Sequence, residues 1–112
     1  MRHWAEARAQ AHLEQRGWRL LEANAVVRGG EIDLVMRDGP VTVAVEVRQR
    51  GSLRFGGAAE SLLPAKLQRV RRSLRLWSLR HYGRDDVALR VDALLIHGAE
   101  DEHRLEHFEN VA

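Results

Sequence analysis

The sequence predicts an α/β domain: helix, three-stranded antiparallel meander, helix and returning strand, with a mixed sheet flanked by the helices. Three observations predict it. Residues 31–48 alternate with period two on either side of Asp38-Gly39, a strong short-range hairpin signal. Two stretches rich in helix formers, residues 3–16 and 64–82, each stop at a glycine, Gly17 and Gly83. Residues 87–96 contain the continuous apolar run Ala93-Leu94-Leu95-Ile96, as in a strand buried on both faces, and their position after a helix favours parallel or mixed pairing.

The bounds agree. A chain of 112 residues is one typical domain, spanning 1–112, and is long enough to bury a real core. It has no cysteine, which excludes disulfides, zinc–thiolate sites and thiol nucleophiles. No apolar run approaches the ~18 residues of a membrane span. The first residues lack the apolar stretch of a signal peptide, so a cytoplasmic location is expected, with no membrane partner. Net charge is +2 but unevenly spread. Residues 64–84 carry Lys66 and six arginines with no acid; residues 85–112 carry eight acids against Arg90 and Arg104. That asymmetry suggests a polyanion-binding face and a separate acidic one. Lys66 is the only lysine, against 17 arginines, so arginine richness is partly a habit of composition.

In the helix at 3–16, Ala5, Ala9, His12, Leu13 and Arg16 recur at helical spacing, and Glu6 lies near the edge of that face. From spacing alone Glu6 reads as an exposed first-turn glutamate favoured by the helix dipole. Residues 18–27 read as the first strand, and Gly29-Gly30 turns the chain into the second.

The hairpin carries the chemistry. With Asp38-Gly39 as a two-residue loop, Arg37 faces Pro40, Asp33 faces Ala44 and Glu31 faces Glu46. Glu31, Asp33, Glu46 and Arg48 then share one face while Val41, Val43, Val45 and Val47 cover the other. The grouping holds only while the strands keep this phase. Three carboxylates on one patch repel, and a hard divalent cation such as magnesium or manganese would offset that repulsion. The competing reading is an ordinary solvated face of an antiparallel sheet.

Residues 49–61, with Gly51, Gly56 and Gly57, read as a loop leaving the Glu46 strand. Pro64 opens the second helix. Its expected core stripe is Leu63, Leu67, Val70, Leu74, Trp77 and His81. Gln68, Arg71, Arg72 and Arg75 form a second stripe, suited with Lys66 to phosphate backbones. Residues 103–109 alternate weakly and suggest an edge strand. The six histidines read as structural or surface residues.

Several strings taken together resemble a known family. They are Ala5-Glu6 with Ala9 and Leu13, Gly17-Trp18-Arg19-Leu20-Leu21 with Asn24, and Gly30-Glu31-Ile32-Asp33-Leu34-Val35. Val45-Glu46-Val47-Arg48 with Arg50, Phe55-Gly56, Pro64-Ala65-Lys66, Arg90-Val91-Asp92 and the ending His107-Phe108-Glu109-Asn110-Val111-Ala112 complete the set. The chain resembles the bacterial YraN-like family over essentially its whole length. The resemblance implies the restriction-endonuclease-like fold of the PD-(D/E)xK nucleases, close to archaeal Holliday-junction resolvases, and with it a nucleic-acid partner, DNA before RNA, and a homodimer. It implies a site in which Glu6, Asp33 and Glu46 match the helix glutamate, the strand aspartate and the following glutamate. Asp33 and Glu46 would hold magnesium or manganese, with the Val47 carbonyl as a third ligand.

The departure from the pattern is Arg48, where the superfamily has lysine. Arginine stays protonated and cannot act as a general base; Lys66, at the head of the second helix, is a candidate to compensate, and Gln68 a candidate to position phosphate or water. Two readings therefore stand: a metal-dependent nuclease of structured DNA, with Arg48 supplying charge at the phosphate, or a nucleic-acid-binding module that no longer cuts. A third, an interaction adaptor using the acidic C-terminal third, leaves the carboxylate face idle.

Overall fold

The computed structural model describes residues 3–51 and 62–112. The element order is α1 (Trp4–Gln15), β1 (Arg19–Val27), β2 (Gly30–Asp38), β3 (Val41–Arg50), α2 (Pro64–Tyr82), β4 (Leu89–Ala99) and β5 (Glu102–Phe108). The strands form one five-stranded sheet in the order β1-β2-β3-β4-β5. All neighbours are antiparallel except β3 and β4, which run parallel. The parallel pair is what a crossover through α2 demands. The expected mixed sheet flanked by helices is the architecture found.

The helices cover opposite faces. Ala5, Ala9 and Leu13 of α1 pack on Leu34, Met36, Val43, Val45 and Val47. The alanines let α1 approach the sheet closely, and the His3 ring caps its first turn by accepting from the Ala5 N–H at 3.1 Å. On the other face Val70, Leu74 and Trp77 of α2 pack on Val35, Ala44 and Val91.

The hairpin turn corrects the expected register. The β2–β3 pairs run from Asp38↔Val41 to Leu34↔Val45, so the loop is Gly39-Pro40 rather than Asp38-Gly39. Gly39 has φ 57, and proline fixes a negative φ after it, the signs of a turn with glycine first. Every expected pair moves by two residues: Arg37 faces Thr42 and Ala44 faces Val35. A shift of two keeps side chains on their faces, and Asp33, Glu46 and Arg48 come together as expected, whereas Glu31 lies beyond the last β2–β3 pair and acts on Glu46 only through its charge.

Other boundaries differ for physical reasons. β3 runs to Arg50 because Gln49 and Arg50 pair with Ile96 and His97 of β4, shortening the loop expected at 49–61. The rest of that expected loop, including Phe55, Gly56 and Gly57, lies outside the described residues. Leu63 and His81 leave the core stripe of α2. Leu63 is the exposed N-cap, and His81 is exposed while stacked on Trp77. Ser73 and Ser78 are buried instead. Arg16, the C-cap of α1, is exposed, and His12 is only half-buried. Several of the C-terminal acids are paired with basic side chains. Asp85 pairs with Arg75, Asp86 with Arg84, Glu106 with His97 and Glu109 with Arg16. Among the described residues no helix is long and apolar enough to cross a membrane.

Candidate active site: a carboxylate pair held by two cations

The polar face of the hairpin is not a solvated one. It lies on the side covered by α2, and Glu46 is only 2% exposed. The β2–β3 register ends at Leu34↔Val45, the rung before Asp33 and Glu46. Beyond it the Val47 N–H donates to Asp33 Oδ2 at 2.9 Å instead of to a strand carbonyl. β2 keeps its pairing with β1, and β3 keeps its pairing with β4. The site therefore opens where a side-chain acceptor replaces the ladder.

Arg48 gathers the centre. One guanidinium nitrogen, Nη2, contacts Glu46 Oε1. The other, Nη1, donates to the Val47 carbonyl at 2.8 Å and lies 3.7 Å from Asp33 Oδ2. Lys66, in the first turn of α2, places its Nζ 3.2 Å from the same Glu46 Oε1. Glu6 is held by Asn24 of β1, whose Nδ2 donates to Glu6 Oε1 at 2.8 Å. Glu6 is thus a positioned side chain rather than a free surface glutamate.

The electrostatics follow from crowding. Burial, then the Glu46 charge, pushes the Asp33 carboxyl up to about 6 from an ordinary 3.8. The Val47 N–H and Arg48 pull the other way and only partly offset this. Burial also raises Glu46, against Arg48 and a hydrogen bond with Asp33, while Glu6 and Glu31 add to the rise. Asp33 and Glu46 thus sit against two cations, Arg48 and Lys66, while Glu6 and Glu31 act on Glu46 through their charge alone. Asp33, Glu46 and the Val47 carbonyl are hard oxygen donors gathered around one guanidinium, a donor set that fits magnesium or manganese.

The arginine stripe lies elsewhere. A cleft of about 470 Å³ on one flank of α2 is lined by Gln68, Arg71, Arg72, Arg75 and the entry to β4 at Asp85, Val87 and Leu89. Arg71 donates to the Ala112 carbonyl at 2.8 Å, and Arg75 lies 3.9 Å from Asp85. The opposite flank has a smaller cleft of about 230 Å³, lined by Gly29, Gly30, Glu31, Lys66, Arg69, Val70 and Ser73. Lys66 thus belongs with the carboxylates, not with the arginines it was grouped with. Asn24, Arg69 and Ser73 had no role from sequence. The signal for Asn24 was an asparagine inside a strand, where that residue is depleted; in the structure it takes φ 50.

A second cluster, Asp92, His107 and Glu109, brings potential ligand atoms together but is already satisfied. Asp92 accepts from Arg90 through both oxygens, from His107 Nε2 at 2.8 Å and from the Asn110 N–H at 3.0 Å. Burial alone would raise Asp92; these bonds hold it below the usual carboxylate range. A cation there would have to evict Arg90, so the cluster reads as a structural lock.

The model of the uncharacterised protein family UPF0102 matches residues 5–96. The UPF0102 protein TTHA0372 of Thermus thermophilus is 43% identical over 104 residues, covering 93% of this chain and 89% of that protein. The Klebsiella pneumoniae UPF0102 protein KPN78578_35270 is 49% identical over 94 residues, 83% and 73% of the two chains. The UPF0102 protein YraN of Escherichia coli strain K12 is 46% identical over 98 residues, 87% and 75%.

Proposed function

The chain belongs to the UPF0102 family, and from its carboxylate site we propose that it binds nucleic acid and hydrolyses phosphodiesters of structured DNA with a divalent metal. One observation carries the reading: Asp33, Glu46 and the Val47 carbonyl converge around a single cationic group where the β2–β3 ladder ends. Magnesium or manganese bound there would activate a water for in-line attack and stabilise the developing charge.

The chain's own residues set the conditions. Asp33 must release the proton its raised pKa retains. Lys66 and Arg48 offer positive charge to the scissile phosphate, and Arg48, always protonated, takes no proton from water. Glu6, braced by Asn24, adds negative charge that acts on Glu46. Gln68, Arg71, Arg72 and Arg75 would track the phosphate backbone on the far flank of α2, where contacts position without reading sequence.

The test is calorimetric titration of magnesium and manganese into wild type and the Asp33→Ala/Glu46→Ala variant, alongside cleavage of branched and single-stranded DNA. Metal binding abolished in the variant, with metal-dependent cutting by wild type, is the expected result. A second reading, a binding module that no longer cuts, is favoured by Arg48 standing among the ligands. DNA binding without metal binding or cleavage would select it.

A further inference from the structure

Three contacts of Arg48 coincide with the three candidate metal ligands. Its guanidinium touches Glu46 Oε1, donates to the Val47 carbonyl at 2.8 Å and approaches Asp33 Oδ2 to 3.7 Å. Magnesium held by those oxygens at about 2.0–2.1 Å would need the space the guanidinium nitrogens fill. We infer that Arg48 is the resident cation of the site, that it and a divalent metal exclude one another there, and that Arg48 swings out to a substrate phosphate when metal enters. The inference rests on the metal reading above and specifies which residue the metal must displace.

Charge and burial favour the exchange. Glu46 is enclosed and needs a cation at all times, because a buried carboxylate without a partner is strongly disfavoured. Arg48 meets that need in the free protein. Lys66 holds the same Glu46 oxygen at 3.2 Å but comes from α2, with a side chain more exposed than that of Arg48, so it can remain or leave without uncovering the site. A displaced guanidinium keeps its charge and presents a planar fork that matches phosphate. The exchange gives arginine at this position a task lysine performs less well. A planar group spans three oxygens in one geometry, then spans two phosphate oxygens in another.

Two consequences can be measured. Removing the tethered cation should tighten metal binding, and adding metal should move Arg48. Manganese is titrated by calorimetry into wild type, Arg48→Met and Lys66→Met without nucleic acid, with thermal melts confirming folding. Arg48→Met should bind manganese about tenfold more tightly or better, a change of about 1.4 kcal/mol, and Lys66→Met should gain less. In isotope-labelled wild type, the Arg48 Nε–H resonance, identified by its disappearance in Arg48→Met, should shift on saturation with magnesium. Manganese binding of equal strength in wild type and Arg48→Met, or an Arg48 resonance unmoved at saturating magnesium, overturns the exchange while leaving the metal site standing. No manganese binding by either protein overturns the metal reading and the exchange together. If Arg48→Met does not fold, the resonance in wild type decides alone, assigned through Arg48→Lys.

Discussion

Replacing Asp33 with asparagine isolates the charge on the carboxylate pair. Asparagine keeps an oxygen to accept the Val47 N–H, so the local hydrogen bond survives while the ionisable group is removed. In the folded protein Asp33 is pushed up to about 6, from 3.8. Between those values the native state holds more protons than the unfolded state, so wild-type stability falls as pH rises through that window. At about 1.4 kcal/mol for each tenfold change in proton affinity, the full decline comes to about 3 kcal/mol. Sharing the proton with Glu46 trims this, and about 2 kcal/mol is the expected observable part. Urea unfolding of wild type and Asp33→Asn in metal-free buffer, from about pH 4 to about pH 7, reads the difference directly. The variant should gain on wild type steadily as pH rises and flatten above about pH 6. Parallel stability curves, or a wild type that gains on the variant with rising pH, would show that Asp33 is ionised at no net cost and refute the reasoning.

Other outcomes follow from the same geometry. Because the Asp33 proton must leave before metal is held, manganese affinity should fall by up to about tenfold for each pH unit below about 6, read by calorimetry. A methyl group on Gly30 would collide with the Ser73 hydroxyl, so Gly30→Ala should cost about 1–3 kcal/mol in urea melts. The added change Ser73→Ala should recover most of that stability. Arg90→Met leaves the fully buried Asp92 without its bidentate partner and should cost about 3–5 kcal/mol in urea melts of the metal-free protein. Changing Arg71, Arg72 and Arg75 together to glutamine should weaken DNA binding for all sequences alike. Its salt dependence should fall by about 0.9 for each phosphate no longer neutralised, read by titration at several salt concentrations.

Much of the architecture was legible because it rests on local signals. The hairpin alternation, Pro64, Gly83 and the apolar run at residues 93–96 each mark an element through backbone chemistry or period. The turn was misplaced by one residue, since both Asp38-Gly39 and Gly39-Pro40 are competent corners and cross-strand packing chose between them. Asp33, Glu46 and Arg48 still meet, because moving the corner shifts each pair by two. What could not be read depends on partners remote in sequence. β3 continues to Arg50 only because β4 lies beside it, and nothing local in Gln49-Arg50 announces a strand. Lys66 suited either a phosphate contact on a basic helix or a substitute for the lysine absent at position 48, and only the packing of α2 on the sheet shows that it lies on Glu46, 20 residues earlier. Glu6 could not be raised above a surface glutamate by spacing, since Asn24 and the closeness allowed by the alanines of α1 are tertiary facts.

Asp33 ties these levels together through one backbone group. Where β2 and β3 part, the Val47 N–H has no strand partner in a buried setting, and an orphaned donor there costs about 1–3 kcal/mol. Asp33 supplies the acceptor. The same side chain thus ends the ladder, secures the opened edge and brings a carboxylate within hydrogen-bonding reach of Glu46. Its structural and chemical duties separate under substitution. Asp33→Asn keeps the acceptor and removes the charge, so it should retain or gain stability at neutral pH while losing metal. Asp33→Leu removes both, and should lose metal together with the roughly 1–3 kcal/mol that the orphaned Val47 N–H represents. Equal stability of the two variants at neutral pH would mean that Val47 finds another partner, and that the opening between β2 and β3 does not depend on Asp33.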